Sequence, residues 1–337
     1  MVKIGVIGCG YWGPNYIRIF SELGGNKIIS CCDLEEKNLL KIKKLDTKIK
    51  VETDYRKVAR DPDIDAVIIT TPLNTHYALA KLCLDKGKHV LIEKPFTSNS
   101  QEAEKLIRLV DKNKLILMVG HVYEYNPGIV KLRQIIKKGG LGDIYYAYAE
   151  RLGLGPIRKH ANALWDLTVH DISVAFYLLG EAPLEVIAVG EYYIQTGIKD
   201  IVFVSLKFPS RLIYNFYASW IAPEKIRRTS VVGSRGMAVF DDVNKSQMLK
   251  IYNRTINSGL LDSTPTYHDH QLVVSVGNVY LPKVEQSEPL KNQARHFLEC
   301  VSKGKSPLSG AEDGLRVVKI LEATERSLRT SKAVKCR

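Results

Sequence analysis

The segment 2-VKIGVIGCGYWG-13 decides the fold of the first half of this 337-residue chain. Residues 2–7 form a run that is apolar except for Lys3 and rich in β-branched side chains, which predicts a buried parallel strand. Glycines at positions 8, 10 and 13 come next, followed by the helical pattern 15-NYIRIFSEL-23 and a second strand, 27-KIISCCD-33. A glycine turn alone would mean little. The order strand, glycine turn, helix, strand and terminal acid predicts a dinucleotide-binding unit.

The residues of this turn have separate predicted tasks. Gly8 permits the tight turn, Gly10 lets the backbone approach a pyrophosphate, and Gly13 allows the helix to pack closely on the strand. Backbone N–H groups at the start of the helix are expected to meet the phosphates. Tyr11 and Trp12, in the same segment, are two further cofactor candidates.

The acid at the end of the second strand, Asp33, predicts NAD rather than NADP as the cofactor. A carboxylate at this position accepts hydrogen bonds from the adenine-ribose hydroxyls and repels a 2′-phosphate. No arginine follows Asp33 immediately, although Lys37 lies one helical turn further on.

Strands and helices keep alternating up to residue 121. Apolar runs at 65–70, 89–92 and 115–120 are separated by helical patterns. This alternation predicts a doubly wound parallel sheet, a Rossmann domain over residues 1–121, with ligands beyond the carboxyl ends of its strands. The segments that follow such ends should face one crevice; they are 70-TTPLNTH-76, 93-EKP-95 and 120-GHVYEYNP-127.

The pattern changes after residue 121. Consecutive period-two strands without helices between them occupy about residues 184–252, for example 201-IVFVSLKF-208 and 211-RLIYNFYASW-220. Such a series predicts an open, mainly antiparallel sheet in a carboxy-terminal α/β domain over residues 122–337. Two closing helices are expected to pack back towards the first domain.

Composition argues against several classes of protein. The net charge of +13 is spread along the chain with bases beside acids, which is typical of solvated helix faces rather than of nucleic-acid binding. The six cysteines lack metal-ligand spacing, and His268 and His270 lack a third ligand, so no metal is predicted. Without a visible signal peptide or an apolar run of membrane length, we expect a cytoplasmic protein that does not bind membranes. Its positive charge suits an anionic small molecule such as a nucleotide sugar.

A second group of candidate residues lies in 165-WDLTVHDISV-174. Asp166 and His170 stand four residues apart, which on a regular helix places both side chains on one face within hydrogen-bonding reach. A carboxylate beside an imidazole fixes its tautomer and suits a general base. Such pairs also occur where they only stabilise a helix, so the spacing leaves both roles open. Asp171 is expected to face elsewhere.

These segments together resemble the glucose–fructose oxidoreductase/inositol dehydrogenase (Gfo/Idh/MocA) family along nearly the whole chain. The matching residues are 5-GVIGCGYWG-13, 70-TTPLNTHY-77, 89-HVLIEKP-95 and the D-x-x-x-H-D pattern that begins at Asp166. The Glu-Lys-Pro element combined with the later pattern is specific to this family. The resemblance implies an NAD-dependent dehydrogenase that acts on a CH–OH group, with a second domain whose open sheet joins subunits into dimers or tetramers.

The resemblance also assigns roles to individual residues. Lys94 and His170 would flank the nicotinamide, with Asp166 assisting His170. Lys94 would stabilise the alkoxide that forms from a substrate hydroxyl. A plain surface salt bridge between Glu93 and Lys94 is the alternative interpretation. Further cofactor candidates follow the strand ends: Thr71, Pro72, Asn74, His76 and Glu93.

A closer resemblance is to the nucleotide-sugar branch of the family, which includes UDP-N-acetylglucosamine 3-dehydrogenases. It rests on 125-YNPGIVKLRQII-136, 142-GDIYYAYAERLGLGPIRKHANALWDL-167 and 170-HDISVAFYLLG-180. It implies oxidation of a UDP-linked N-acetylhexosamine at its 3-hydroxyl. Thr168 and Val169 stand where this branch is expected to have Ala-Pro, which leaves the exact sugar open. The substrate candidates are Lys94, His121, Tyr123, Arg158, Asn162, Trp165 and His170.

Other functions stay open on sequence grounds. A dehydrogenase of a free sugar or inositol, or a ketoreductase of a deoxysugar nucleotide, would use the same kind of site. A non-catalytic cofactor-binding regulator, such as the galactose-regulon corepressor of yeasts, would lack part of the catalytic set. Because Lys94, Asp166 and His170 are all present, the sequence favours an enzyme.

Overall fold

The computed structural model describes residues 1–24, 26–155, 157, 161–254 and 277–336. The chain divides into two compact units. The first contains Met1–Tyr125 and Ser287–Glu322, and the second contains Asn126–Gln286 and Ala323–Arg337. The chain therefore leaves the first unit after Tyr125 and returns to it at Ser287.

The first unit is built on a parallel sheet of six strands. Their order across the sheet is β3-β2-β1-β4-β5-β6, so the chain starts near the centre, builds one edge and then returns to build the other. The predicted doubly wound parallel sheet is confirmed. The three-residue edge strand, β3, gave no signal in the sequence because a run so short has no readable period. The strands are β1 (Val2–Ile7), β2 (Asn26–Cys32), β3 (Lys50–Glu52), β4 (Ala66–Ile69), β5 (His89–Ile92) and β6 (Leu117–Val119).

Nine α-helices lie in the described part of the chain. They are α1 (Gly13–Glu22), α2 (Glu36–Leu45), α3 (Tyr55–Arg60), α4 (Leu73–Asp85), α5 (Ser100–Asn113), α6 (Pro127–Lys137), α7 (Val169–Leu179), α8 (Pro289–Lys303) and α9 (Ala311–Thr330). A 3₁₀ helix, Val122–Tyr125, precedes α6, and a π-helix, Leu164–Thr168, precedes α7. None of the described helices is long and apolar enough to span a membrane.

One side of the parallel sheet is covered by helices from both ends of the chain. In the first unit, α8 packs on α1, and the rings of Phe20 and Phe297 meet edge-on with centroids 6.4 Å apart. These two side chains are fully buried beside Ile4 and Val6 of β1. Burial of this apolar surface is the main stabilising contribution to the unit and fixes the direction in which α1 leaves the glycine turn.

The second unit is built on a sheet to which the described residues contribute nine strands. All neighbouring strands run antiparallel except the central pair, β7 and β10, which are parallel. The predicted mainly antiparallel sheet is confirmed, whereas a period-two pattern does not reveal one parallel pair. The strands, in the order β14-β13-β12-β11-β7-β10-β9-β8-β15, are β7 (Ile144–Leu152), β8 (Glu185–Glu191), β9 (Ile201–Lys207), β10 (Ile213–Ser219), β11 (Ile226–Gly233), β12 (Gly236–Asp241), β13 (Leu249–Tyr252), β14 (Val279–Tyr280) and β15 (Val334–Lys335).

This second sheet has one covered face and one open face. Side chains alternate along each strand, and those on the covered face, such as Val204 and Phe216, are buried. The opposite face carries large apolar side chains that keep between 44% and 59% of their surface exposed. They are Tyr146, Ile187, Val189, Phe203 and Ile213.

Candidate active site

The turn between β1 and α1 is shaped for a dinucleotide. Gly8 has φ +97°, and an added Cβ would lie 2.8 Å from the carbonyl carbon of Thr70. At Gly13 an added Cβ would lie 2.2 Å from the carbonyl oxygen of Gly8. Both positions therefore require glycine for the fold itself. A Cβ added at Gly10 would have no atom of the described residues within 4 Å. Open space beside bare backbone at a helix N-terminus is what a pyrophosphate needs, so the turn fits the cofactor.

Asp33 follows β2 and is fixed by two backbone groups. Its Oδ2 accepts a hydrogen bond from the N–H of Cys9 at 2.6 Å, and its Oδ1 accepts one from the N–H of Glu35 at 2.8 Å. Each carboxylate oxygen has a second lone pair for a further donor. The Nζ of Lys37 pairs with Glu35 at 3.2 Å. The carboxylate is thus held beside the glycine turn, and its remaining lone pairs can accept hydrogen bonds from ribose hydroxyls.

The other predicted cofactor residues at the carboxyl ends of β1 and β4 differ in their exposure to solvent. The ring of Tyr11 is 80% exposed and meets that of Trp12 edge-on, with centroids 5.5 Å apart. Pro72 and Asn74 are exposed at the beginning of α4, and Thr71 is half-buried. These positions leave backbone and side-chain groups accessible at the carboxyl ends of β1 and β4.

His76 is buried and connects two loops. Its Nδ1 lies 2.9 Å from the carbonyl oxygen of Pro95, and its Nε2 lies 2.9 Å from that of Thr71. Burial lowers the pKa of this imidazole. A neutral imidazole has one N–H and donates it to one of these two carbonyl oxygens, so the side chain supports the loop that contains Lys94 and the cis peptide bond before Pro95.

Glu93 and Lys94 do not form a plain surface salt bridge, because Glu93 is buried with 7% exposure. Its Oε1 accepts a hydrogen bond from the Tyr16 hydroxyl at 2.8 Å, and its Oε2 accepts one from the backbone N–H of Lys94 at 3.1 Å. The Tyr16 hydroxyl also lies 3.4 Å from Oε1 of Gln293. Burial raises the pKa of the Glu93 carboxyl. A buried hydrogen-bonded network thus holds the backbone of Lys94, whose own side chain is half-buried.

His121 occupies the corresponding position after the neighbouring strand. In the register of β5 and β6, Ile92 pairs with Val119. Lys94 and His121 each lie two residues beyond this pair, so they occupy matching positions after the two strands. His121 is fully buried. Neither of its ring nitrogens has a hydrogen-bond partner among the residues that the structure describes. Burial, together with the charge of Lys94, lowers the pKa of this imidazole to about 3.

In the second unit, Asp166 and His170 lie where the π-helix passes into α7. The Oδ2 atom of Asp166 accepts a hydrogen bond from the indole N–H of Trp220 at 3.3 Å. His170 is half-buried in the first turn of α7. The sequence predicted one regular helix through this segment, but its first turn is a π turn. Such turns add a residue to the helical turn and frequently occur at functional sites.

Asp171 faces away from these residues, as the sequence predicted. Its carboxylate is buried and binds the guanidinium of Arg151 on β7 in a bidentate manner, with N–O distances of 3.0 and 2.9 Å. This ion pair fastens α7 to the sheet and so fixes the helix on which His170 stands.

Two predicted substrate residues, Asn162 and Trp165, bind the same carboxylate of the second unit. The Nδ2 of Asn162 and the indole Nε1 of Trp165 donate to Oε2 of Glu325 on α9 at 3.2 and 3.3 Å. The Oδ1 of Asn162 also accepts the backbone N–H of Trp165 at 3.1 Å. These contacts give both side chains an intramolecular role at the start of the π-helix.

Of the remaining predicted site residues, Tyr123 lies within the described part of the chain and Arg158 does not. Tyr123 is buried in the 3₁₀ helix with 9% exposure. Arg158, with the adjacent Lys159, and the two histidines at 268 and 270 lie outside the described residues. Within the described part of the chain, no group of three or more histidine, cysteine, aspartate or glutamate residues could hold a metal ion.

Sequence analysis did not identify the residues that hold the site in place. Tyr16 contacts both Glu93 and Gln293, Trp220 contacts Asp166, and Glu325 joins Asn162 to Trp165. Most of these partners lie far apart in the sequence, so only the fold brings them together. Tyr16 alone carried a signal, a hydroxyl on the buried face of the helix that follows the glycine turn.

The comparison with protein-family models places both parts of the chain. Residues 2–121 match the model of the Gfo/Idh/MocA oxidoreductase family, NAD-binding Rossmann fold, and residues 129–239 match the Gfo/Idh/MocA carboxy-terminal domain. The chain therefore belongs to the Gfo/Idh/MocA family of oxidoreductases. It is an NAD-binding dehydrogenase of the kind that acts on CH–OH groups.

Individual relatives differ in their substrates. The chain is 27% identical over 285 residues to the UDP-N-acetylglucosamine 3-dehydrogenase of Acidithiobacillus ferrooxidans, covering 84% of this chain and 87% of the relative. It is 24% identical to the myo-inositol 2-dehydrogenase of Thermotoga maritima, covering 99% and 98%. A solved structure of the A. ferrooxidans enzyme superposes with a TM-score of 0.82 over 97% of both chains, at 24% identity. The first of these relatives is thus named for a nucleotide sugar and the second for an inositol.

The fixed carboxylate of Asp33 leads to a prediction about cofactor choice. We expect NADH to bind at least about tenfold more tightly than NADPH, because Asp33 would repel the 2′-phosphate. Asp33→Asn removes the charge while keeping one of the two backbone contacts. It should therefore reduce the difference between the NADH and NADPH affinities. Fluorescence titration of both variants with both reduced cofactors measures the effect. Tighter NADPH binding by the unchanged chain would refute the assignment.

Proposed function

We propose that this protein oxidises the 3-hydroxyl of a UDP-linked N-acetylhexosamine, with UDP-N-acetylglucosamine as the expected substrate. The observation that carries the substrate assignment is the likeness to the A. ferrooxidans 3-dehydrogenase, which extends over most of both chains. The segment 142–167, which resembles the nucleotide-sugar branch, supports it. The net charge of +13 agrees with a diphosphate-bearing substrate.

In the proposed reaction, Lys94 provides the positive charge for the oxygen that loses its proton. The buried carboxylate of Glu93 holds the backbone N–H of Lys94, while Tyr16 holds Glu93. The ammonium is thereby kept at the carboxyl end of β5, where ligands of such sheets bind. A fixed cation beside the hydroxyl favours the alkoxide that develops as the proton leaves.

His170 is the proposed general base. Its imidazole accepts the proton of the substrate hydroxyl, and the C–H bond on the same carbon breaks as a ketone forms. Bound NAD supplies the hydride acceptor, held through the glycine turn and Asp33. Asp166, whose carboxylate is oriented by the Trp220 indole, assists His170. Asp171 takes no part in proton transfer because Arg151 occupies its carboxylate.

A substrate screen tests this proposal. NADH formation is measured with UDP-N-acetylglucosamine, UDP-glucose, free N-acetylglucosamine and myo-inositol, in the presence of a system that reoxidises NADH so that equilibrium does not hide turnover. We expect the highest kcat/KM for UDP-N-acetylglucosamine, because binding of the remote diphosphate orients the sugar ring as well as adding affinity.

Myo-inositol is the second candidate substrate. The likeness to the T. maritima myo-inositol 2-dehydrogenase covers the chain more completely, at 24% identity over 99% of it. Activity on myo-inositol alone, or equal activity on free and UDP-linked N-acetylglucosamine, would overturn the proposed substrate. Neither outcome would change the fold or the cofactor.

We also propose that copies of the chain associate through the open face of the second sheet, giving a dimer or tetramer. Phe203 stacks on Tyr217 with ring centroids 5.3 Å apart, and Ile187 and Val189 lie on the neighbouring strand with about half of their surface exposed. Exposed apolar patches of this kind mark association surfaces. The hydroxyl of Tyr217 donates to Glu150 at 2.7 Å, so polar groups at the same face are also ordered.

A single charge on this face should dissociate the oligomer. Phe203→Glu is expected to yield a monomer in light scattering coupled to size-exclusion chromatography, because the carboxylate would be buried without a partner. Leu40→Glu is the matched control, since Leu40 is 62% exposed on α2 of the first unit. A monomeric unchanged chain would contradict the proposal.

A further inference from the structure

We propose that His121 is a ligand-binding residue that holds an uncharged polar group, either a hydroxyl of the substrate or the carboxamide of the nicotinamide. The inference rests on the proposed function only in assuming that ligands bind at the carboxyl ends of β5 and β6. It concerns a residue that takes no part in the proton transfer assigned to Lys94 and His170.

The location of His121 is the first observation. Parallel sheets of this kind bind ligands beyond the carboxyl ends of their strands. His121 follows β6 at the position that corresponds to Lys94 after β5, because Ile92 pairs with Val119 in the parallel register. The charge of Lys94 also acts on the imidazole. The two side chains therefore lie at the same end of the sheet, close enough for the charge of Lys94 to affect the imidazole.

The second observation is that both ring nitrogens of His121 lack a hydrogen-bond partner in the described part of the chain, although the side chain is fully buried. Buried polar atoms are normally paired, since leaving one unpaired costs free energy. Three other histidines have polar partners within hydrogen-bonding distance. His76 lies 2.9 Å from two carbonyl oxygens, His89 accepts the N–H of Ile116 at 2.9 Å, and His296 lies 3.0 Å from the Tyr125 hydroxyl.

The chemistry of the group indicates the class of ligand. Burial and the neighbouring Lys94 disfavour the imidazolium, so His121 presents one N–H donor and one nitrogen acceptor. An alcohol hydroxyl and a carboxamide each contain a donor and an acceptor. A phosphate or carboxylate would need a positively charged partner. Lys94 is such a partner, whereas the neutral imidazole of His121 is not. The unpaired nitrogens are thus suited to neutral oxygen and amide groups.

Three substitutions test the proposal. His121→Phe keeps a planar ring and removes both nitrogens, His121→Asn places an amide near the Nδ1 position, and His121→Gln places one near the Nε2 position. Each variant is measured for melting temperature without ligand, for NADH affinity by fluorescence titration, and for kcat and KM. His89→Phe is the matched control, because His89 stands at the start of β5, at the other end of the same sheet.

We expect His121→Phe to keep or raise the melting temperature, since the side chain has no hydrogen bond to the described residues that could be lost, and to weaken ligand binding by about tenfold. Weaker NADH binding identifies the carboxamide as the partner, and a higher KM or lower kcat at normal NADH affinity identifies a substrate hydroxyl. Asn or Gln should restore binding, depending on the nitrogen that is used. His89→Phe should lower the melting temperature and leave turnover unchanged.

A lower melting temperature of His121→Phe with normal binding would mean a structural histidine and overturn the inference. NADH affinity and kinetics equal to those of the unchanged chain would also overturn it, whatever the melting temperature. If the unchanged chain oxidises none of the sugars tested, the proposed substrate fails. The NADH titration then decides on His121 alone, and an unchanged NADH affinity of His121→Phe overturns the inference.

Discussion

Replacing Lys94 by alanine is expected to lower kcat by about 100- to 1,000-fold, the loss typical for removal of one group that stabilises developing negative charge. The alkoxide that forms as the hydroxyl is oxidised would lose its fixed cation. NADH affinity should stay within about threefold, because the glycine turn and Asp33 hold the dinucleotide. The melting temperature should hardly change, since the Lys94 side chain is half-buried and its backbone contact to Glu93 remains. Steady-state kinetics, NADH titration and thermal unfolding measure these three quantities.

Lys88 is the matched control for this experiment. It stands immediately before β5, as Lys94 stands shortly after it, and it is buried. Its Nζ donates to the carbonyl oxygens of Asp61 and Ile64 at 2.7 and 2.6 Å. Lys88→Ala should therefore destabilise the fold by about 1.5–3 kcal/mol while leaving kcat unchanged in the folded protein. A Lys94→Ala variant with near-normal turnover would rule out the proposed role of Lys94.

Replacing His170 by alanine is expected to lower kcat/KM by about 100- to 10,000-fold, the contribution typical of a general base. In the unchanged chain the rate should fall towards acidic pH as the base becomes protonated, and the variant should lack this limb of the pH profile. Added imidazole should restore part of the rate by replacing the missing proton acceptor. A normal acid limb in His170→Ala would assign the base to another residue.

The two carboxylates next to His170 should behave differently from each other. Asp166→Asn should lower turnover by less than His170→Ala and leave the melting temperature nearly unchanged, because Asp166 orients the base rather than accepting the proton. Asp171→Ala should destabilise the protein by about 3–5 kcal/mol, because it leaves the buried guanidinium of Arg151 without its partner. A catalytic defect in Asp171→Ala without loss of stability would contradict this division of roles.

Much of the fold was predictable because local sequence determines it. The mostly apolar run at residues 2–7 is typical of a buried strand in a parallel sheet, and the glycines at 8 and 13 are required because a Cβ there would clash with the backbone. Alternation of strands and helices then requires crossover connections and a parallel sheet. In the second unit, consecutive period-two strands predict antiparallel pairing. All of these inferences use neighbours in sequence.

The parts that sequence did not reveal depend on residues that meet only after folding. Gln293 joins the Tyr16–Glu93 network from the far end of the chain, and Trp220 reaches Asp166 from the end of β10. No periodicity records such contacts. The π turn before His170 is likewise invisible, since the residues of Leu164–Thr168 also fit a regular helix. Lys94 and His170 could be named from motifs, whereas the residues that hold them required the structure.

The most direct test of the proposed function follows the hydrogen that leaves the substrate. UDP-N-acetylglucosamine with deuterium at C3 is incubated with the protein and NAD, and the mass of the reduced cofactor is measured after a single turnover. Oxidation of the 3-hydroxyl predicts a cofactor that contains the deuterium, and it predicts unlabelled NADH when the deuterium is at C4 instead. Unlabelled NADH from the C3-deuterated sugar would show that another carbon is oxidised and contradict the proposal.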